Sequence, residues 1–180
     1  MFIKHKILLF IIFLSIFLRF FQLGTNPPSL TWDEVAWGYN AYALGLNGKD
    51  EFGRFLPYDY LESFGDFKPP VYAYLDILPV KIFGLTEFAV RLPSALFGVL
   101  SIGLTYLLVK RIFFKSKNQE LYGVLTAGWL AISPWHFFLS RIALEANLSL
   151  SFFLIGFYLL IRGVRKSFFL IPSSLLFGIS

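Results

Sequence analysis

At 180 residues, with 57% hydrophobic, 20% aromatic and only 15% charged side chains, the chain is too apolar for a soluble domain of its length and belongs in a bilayer. It has no cysteine, which excludes disulfides and thiolate metal sites. The net charge of +5 comes from bases dispersed around apolar runs, not aligned in a stripe, which argues against a nucleic-acid partner.

In chain order, Ile7 to Leu23 is a nearly unbroken apolar run behind Lys4-His5-Lys6, long enough to cross most of a hydrocarbon core. It reads as the first transmembrane helix. A cleavable signal peptide is the rival; the length of the run, Arg19 near its end and the lack of a small-x-small pattern before Asn26-Pro27-Pro28 disfavour it. Thr31-Trp32-Asp33-Glu34 then fits a capping box that opens a helix through about Leu46, with Gly45, Asn47 and Gly48 ending it. Trp37, Tyr39 and Tyr42 are the aromatic types expected at headgroup level. The stretch from Asn47 to Asp66 reads as loop. Further spans are predicted at residues 88–109, 121–139 and 143–161, and a fifth from 168 is still apolar at 180, so the chain reads as the N-terminal module of a longer protein.

Charge distribution sets the topology. Nine of the eleven acids lie between Asp33 and Glu87, whereas bases gather at Lys4/Lys6, at Lys110/Arg111/Lys115/Lys117 and at Arg162/Arg165/Lys166. Such basic groups flanking apolar runs mark cytoplasmic ends, and all three fall on one side only if Val71 to Leu85 lies in the interface and does not span. The expected fold is therefore an all-α integral membrane protein of several spans. Its N-terminus is cytoplasmic, and residues 24–87 form one long external loop carrying interfacial helices.

Three clusters could carry chemistry. Asp33 sits just inside a predicted helix start, where the dipole and free amides favour a carboxylate; it is a candidate base, or else a solvated first-turn acid. Its neighbour Glu34 has a structural role as the capping-box partner. In Lys68-Pro69-Pro70 the first proline restricts Lys68 to extended conformations, presenting its ammonium on a stiff arm that suits a phosphate; an ordinary turn with a snorkelling lysine is the alternative. Asp66 either pairs with Lys68 or is solvated. The third cluster runs from Ser133-Pro134-Trp135-His136 to Glu145. In it Arg141 and Glu145 are four apart, the spacing of a helix-surface ion pair, and His136 reads as a ligand, a proton carrier or an interfacial hydrogen-bonded histidine.

Taken in order, Asp33-Glu34, Lys68-Pro69-Pro70, Phe83-Gly84-Leu85-Thr86-Glu87-Phe88-Ala89-Val90-Arg91-Leu92-Pro93-Ser94 and the Ser133 to Glu145 run resemble the polyprenyl-phosphate-dependent GT-C glycosyltransferases, of the protein O-mannosyltransferase and aminoarabinose-transferase type. The resemblance implies that Asp33 is the catalytic carboxylate and that Lys68, with Arg141, engages the donor phosphate. It further implies that Glu145 is the second external acid, with Glu34 beside Asp33 as a further acidic candidate. His136 and Asp66 remain substrate-binding candidates. Some relatives bind a divalent cation with such acids, and others need none; Glu145 stands where many have Asp.

The expected function is transfer of a sugar, with inversion, from a polyprenyl-phosphate-linked donor to a lipid, glycan or protein acceptor at the external face of the cell membrane. The 180 residues alone are expected to be inactive. The rival reading is a non-catalytic multispan protein, a transporter or assembly module, whose loop acids serve solubility.

Overall fold

The computed structural model describes residues 2–164 and 166–180, with side chains from His5 onward. Arg165 and the Lys4 side chain, two of the bases counted above, lie outside the described residues. Eight α-helices are present among them: α1 (Phe2–Phe20), α2 (Trp32–Asn47), α3 (Val71–Phe83), α4 (Glu87–Ile112), α5 (Gln119–Ile132), α6 (Pro134–Leu139), α7 (Ala146–Gly163) and α8 (Leu170–Ile179). Two short strands, β1 (Leu61–Ser63) and β2 (Asp66–Lys68), pair antiparallel with Leu61 opposite Lys68. Gly65 at φ 74° and Phe64 at φ 54° make the tight turn between them. This hairpin replaces the expected loop up to Asp66.

Two of these helices, α4 and α7, are long and apolar enough to cross a membrane. The fold is compatible with an all-α membrane protein. The span expected over 121–139 is divided, because Ser133 before Pro134 takes an extended ψ of 119° and separates α5 from α6. The span expected from 143 begins at Ala146, and α1 closes at Phe20, before Gln22 turns to φ 54°.

The chain forms two compact units. One holds the chain up to Arg19, Phe97–Phe138 and Ala146–Ser180; the other holds Phe20–Leu96 and Leu139–Glu145. In the first, Ile11, Ile102, Tyr106, Val124, Ala127 and Ala131 form a core. Gly123 permits the contact, since a Cβ there would meet the Tyr106 ring at 2.8 Å. Arg19 and His136 are buried in this unit. The guanidinium NH2 lies 2.7 Å from His136 Nδ1, and His136 Nε2 lies 2.8 Å from Ser101 Oγ, which donates to the Gly98 carbonyl. An arginine can only donate, so Nδ1 accepts, and the ring is the neutral tautomer with its proton on Nε2.

In the second unit α2 and α3 run side by side in the same direction. Trp37 packs against Tyr72 with ring centroids 5.3 Å apart and the rings tilted by 33°, and Gly45 abuts Ile77 and Lys81 two turns further along. Ala41, Val80 and Ala89 fill the space between, with Ile77 packed against them. Trp37 is fully buried there, so among the three aromatics expected at headgroup level only Tyr39 and Tyr42 are exposed. An indole at that helix position faces inward because α3 covers it.

Candidate active site

The second unit positions its acids through the start of α2. Thr31 is the N-cap: its hydroxyl accepts from the Glu34 amide while the Glu34 carboxylate accepts from the Thr31 amide, the reciprocal pair read from the sequence. That arrangement turns two adjacent acids to opposite fates. Glu34 is fully buried, and its Oε1 accepts from Arg91 Nε at 2.7 Å and from the Ala143 amide at 3.0 Å. Its Oε2 accepts from Thr31 N at 2.9 Å and from Arg91 at 3.4 Å. Arg91 is buried too, and spends its remaining N–H groups on the carbonyls of Leu23, Pro27 and Ser29.

Asp33, in contrast, keeps 44% of its side chain exposed and takes Lys68 Nζ at 2.5 Å. The same ammonium donates to Asp66 Oδ2 at 2.8 Å and lies 5.7 Å from the Trp37 ring centroid. Lys68 is 7% exposed, at the end of β2, where the hairpin register and the two prolines deliver it to the start of α2. Burial works to lower its pKa, but the hydrogen bonds and charges of Asp33 and Asp66 outweigh that and leave it raised, so the ammonium is charged. Hydrogen bonding from Lys68 holds Asp66 below the usual carboxylate range. The structure thus brings together Asp33, Lys68 and Asp66 from the sequence candidates.

Arg141 lies in the non-helical segment 140–145, so the four-residue helical spacing to Glu145 does not apply there. Its guanidinium donates to the carbonyls of Phe21, Gln22 and Asn26, and burial followed by the nearby Arg91 charge lowers its pKa. Glu145 is half-buried in the same unit, and burial above all raises the Tyr72 phenol well above its ordinary value. His136 belongs to the other unit and takes part in the Arg19–Ser101 chain described above.

A divalent cation needs several free carboxylate oxygens converging at one point. Glu34 has both oxygens filled by donors, Asp33 is paired with Lys68, and among the described residues no group of three His, Cys, Asp or Glu could hold a metal. These donors do not fit a resident cation.

Three residues here were not singled out from the sequence: Arg91, Tyr72 and Asp76. Arg91 could have been found, since an arginine at the head of an apolar span needs a partner. Tyr72 bridges α4, accepting from the Ser94 amide at 3.3 Å and donating to the Val90 carbonyl at 2.8 Å. Both groups lie beside Pro93, inside α4. No periodicity announces such a contact.

Residues 67–180 match the family described as dolichyl-phosphate-mannose-protein mannosyltransferase. The chain is 36% identical over 110 residues to an uncharacterized protein of Aquifex aeolicus (strain VF5), covering 60% of this chain and 20% of that one. It is 32% identical over 99 residues to "Putative mannosyltransferase YkcB" of Bacillus subtilis (strain 168), covering 55% of this chain and 13% of that one. The chain therefore spans a fifth or less of the curated relatives it matches. No solved structure matches it. Lys68, Arg91 and the segment 139–145 fall inside the family match, which covers more than half the chain, whereas Asp33 precedes it: the chain belongs to the dolichyl-phosphate-mannose-protein mannosyltransferase family of GT-C-type membrane glycosyltransferases.

Proposed function

We propose that the protein transfers a sugar from a polyprenyl-phosphate-linked donor to an acceptor hydroxyl or amine at the external membrane face, with inversion at the anomeric carbon. The observation that carries this reading is the buried, charged Lys68 held between Asp33 and Asp66. An ammonium already stripped of most of its water, with one carboxylate that a ligand can replace and a second that holds it, suits a phosphate, which supplies the same negative oxygens.

On donor binding the phosphate takes the place of Asp33 on Lys68, and Asp33, half-exposed at its helix start, becomes free to accept a proton. The acceptor oxygen or nitrogen then attacks the anomeric carbon from the face opposite the phosphate. The new bond to the acceptor forms as the carbon–oxygen bond to phosphate breaks, the acceptor proton passes to Asp33, and the electron pair leaves on the lipid phosphate. Lys68 offsets the charge that gathers there. In this reading Glu34 and Arg91 set the position of α2, and Arg141 holds the 21–26 segment through its carbonyls. Asp66 keeps Lys68 in place, while Glu145 is the remaining external acid available to an acceptor.

The test is transfer from labelled polyprenyl-phosphate sugars in membranes containing the full-length protein, with Asp33→Asn alongside. Loss of general-base catalysis should lower turnover by roughly 10²–10⁴-fold at unchanged protein level. Wild-type membranes that transfer from no donor in a panel of sugars would sink the reading.

A further inference from the structure

Asp76 stands apart from every other acid in the protein. It lies on α3, is fully buried, and neither carboxylate oxygen has a hydrogen-bond partner. Bare carboxylates are rarely tolerated inside proteins, because desolvation costs several kcal/mol unless the charge is paired or removed.

The register of α2 against α3 shows what it faces. With Trp37 on Tyr72 and Gly45 on Ile77 and Lys81, the turn of α3 that carries Asp76 falls against the turn of α2 that carries Asn40 and Ala41. Two more buried atoms lack partners on that stretch of α2: the Trp37 indole N–H and Asn40 Oδ1. The assignment of the Asn40 amide is fixed, since its Nδ2 donates to the Ala36 carbonyl and to Ser63 Oγ. The atom a proton on Asp76 can serve is the acceptor Asn40 Oδ1, since only a neutral carboxylic acid has an O–H to offer it; the indole N–H is bonded to neither Asp76 oxygen. An ionised one supplies two acceptors and would turn a full charge toward the amide oxygen.

We propose that Asp76 is a proton-bearing positioning residue: as the neutral acid it closes the polar gap between α3 and α2, and so fixes the spacing between Asp33 on α2 and Lys68 just ahead of α3. The inference rests on the reading of Asp33 and Lys68 as the transfer site. Burial pushes the Asp76 carboxyl up to about 8, in keeping with a proton retained at neutral pH. The charged groups of α2 and α3 are Asp33, Glu34 and Lys81, with Glu87 and Arg91 at the head of α4 and Arg141 and Glu145 in the 139–145 segment. Glu34 and Arg91 neutralise each other, and Tyr72, one turn back on α3, is tied to α4.

Two measurements on the full-length protein test this, comparing wild type with Asp76→Asn, which keeps one donor and one acceptor. The first is thermal unfolding against pH. The folded pKa lies above the unfolded value, so the stabilisation is complete below about pH 4, declines as pH rises and is gone above the folded value near 8. Wild type should therefore lose stability relative to Asp76→Asn across that window and run parallel to it above. A difference independent of pH between 4 and 8 overturns the proposal.

The second is the pH profile of sugar transfer. Wild-type turnover should fall about tenfold from pH 7 to pH 9, as a group titrating near 8 ionises, and the fall should be absent in Asp76→Asn. An alkaline fall of equal size in both proteins overturns the positioning role. If wild type transfers no sugar at any pH, the transfer reading fails and takes the positioning role with it, while the unfolding curves still decide whether Asp76 keeps its proton.

Discussion

Lys68 Nζ meets Asp33 Oδ1 at 2.5 Å although 35 residues separate them, and the same ammonium reaches Asp66 only two residues away. A local pair and a distant pair share one cation. The distant one joins the hairpin to α2, so the contact that reports on the site also depends on the fold around it.

Replacing Lys68 by Met removes the charge and keeps most of the stem. A charge-assisted hydrogen bond to a phosphate is worth about 1.5–3 kcal/mol, so the donor KM should rise roughly 10–100-fold. Lys68→Arg should restore little of it, because a planar fork cannot sit between Asp33 and Asp66 over the Trp37 ring as a compact ammonium does. Steady-state kinetics over a range of donor concentration checks both; an unchanged donor KM in Lys68→Met removes Lys68 from the phosphate.

Glu34 and Arg91 form an ion pair with neither side chain exposed. Taking away one charge leaves the other buried and bare, at a cost of about 3–5 kcal/mol, so Glu34→Gln and Arg91→Met should each sharply lower the thermal midpoint. Combining them should cost less than the sum, since no charge is then stranded. Additive losses in unfolding of the purified proteins would show that the two groups act separately.

Tyr72→Phe keeps the ring against Trp37 and deletes the hydroxyl between Val90 and Ser94. The Val90 carbonyl and the Ser94 amide then lose their bridge beside Pro93, which should destabilise the protein by about 1–3 kcal/mol. Faster amide exchange at Ser94 would locate the effect; unchanged exchange there would mean that the Tyr72 hydroxyl does not protect this amide.

The helical pattern was largely legible in the residues, and the reasons are local. The capping box at Thr31–Glu34 depends on four consecutive residues, and it stands in the structure as read. The apolar stretches of α4 and α7 announce themselves through length and hydropathy. What stayed hidden was set by distant partners. Trp37 looks like an interfacial aromatic until α3 is laid over it, and Arg141 looks like half of a helical ion pair until Ser140–Glu145 leaves the helix. Asp76 lies in the segment expected in the interface, and nothing local reveals that the facing turn of α2 leaves two atoms unmatched. Among the candidates, Asp33 and Lys68 were named from residue type and position, while Asp66 was left either paired or solvated. Their convergence came from the β1–β2 register, which no single motif encodes.

The Glu34 carboxylate also imposes an order on biogenesis. It leaves the ribosome 57 residues ahead of Arg91 and 109 ahead of Ala143, both of which donate to it in the finished protein. Through that interval the acid is a solvated charge at the start of a helix whose capping threonine alone is at hand. The clasp can shut only after the head of α4 has been synthesised, and it is complete only when the segment before α7 has followed. A nascent chain arrested between those points carries Asp33 on a helix not yet anchored, so the candidate site takes shape late in translation, after the chain that must support it.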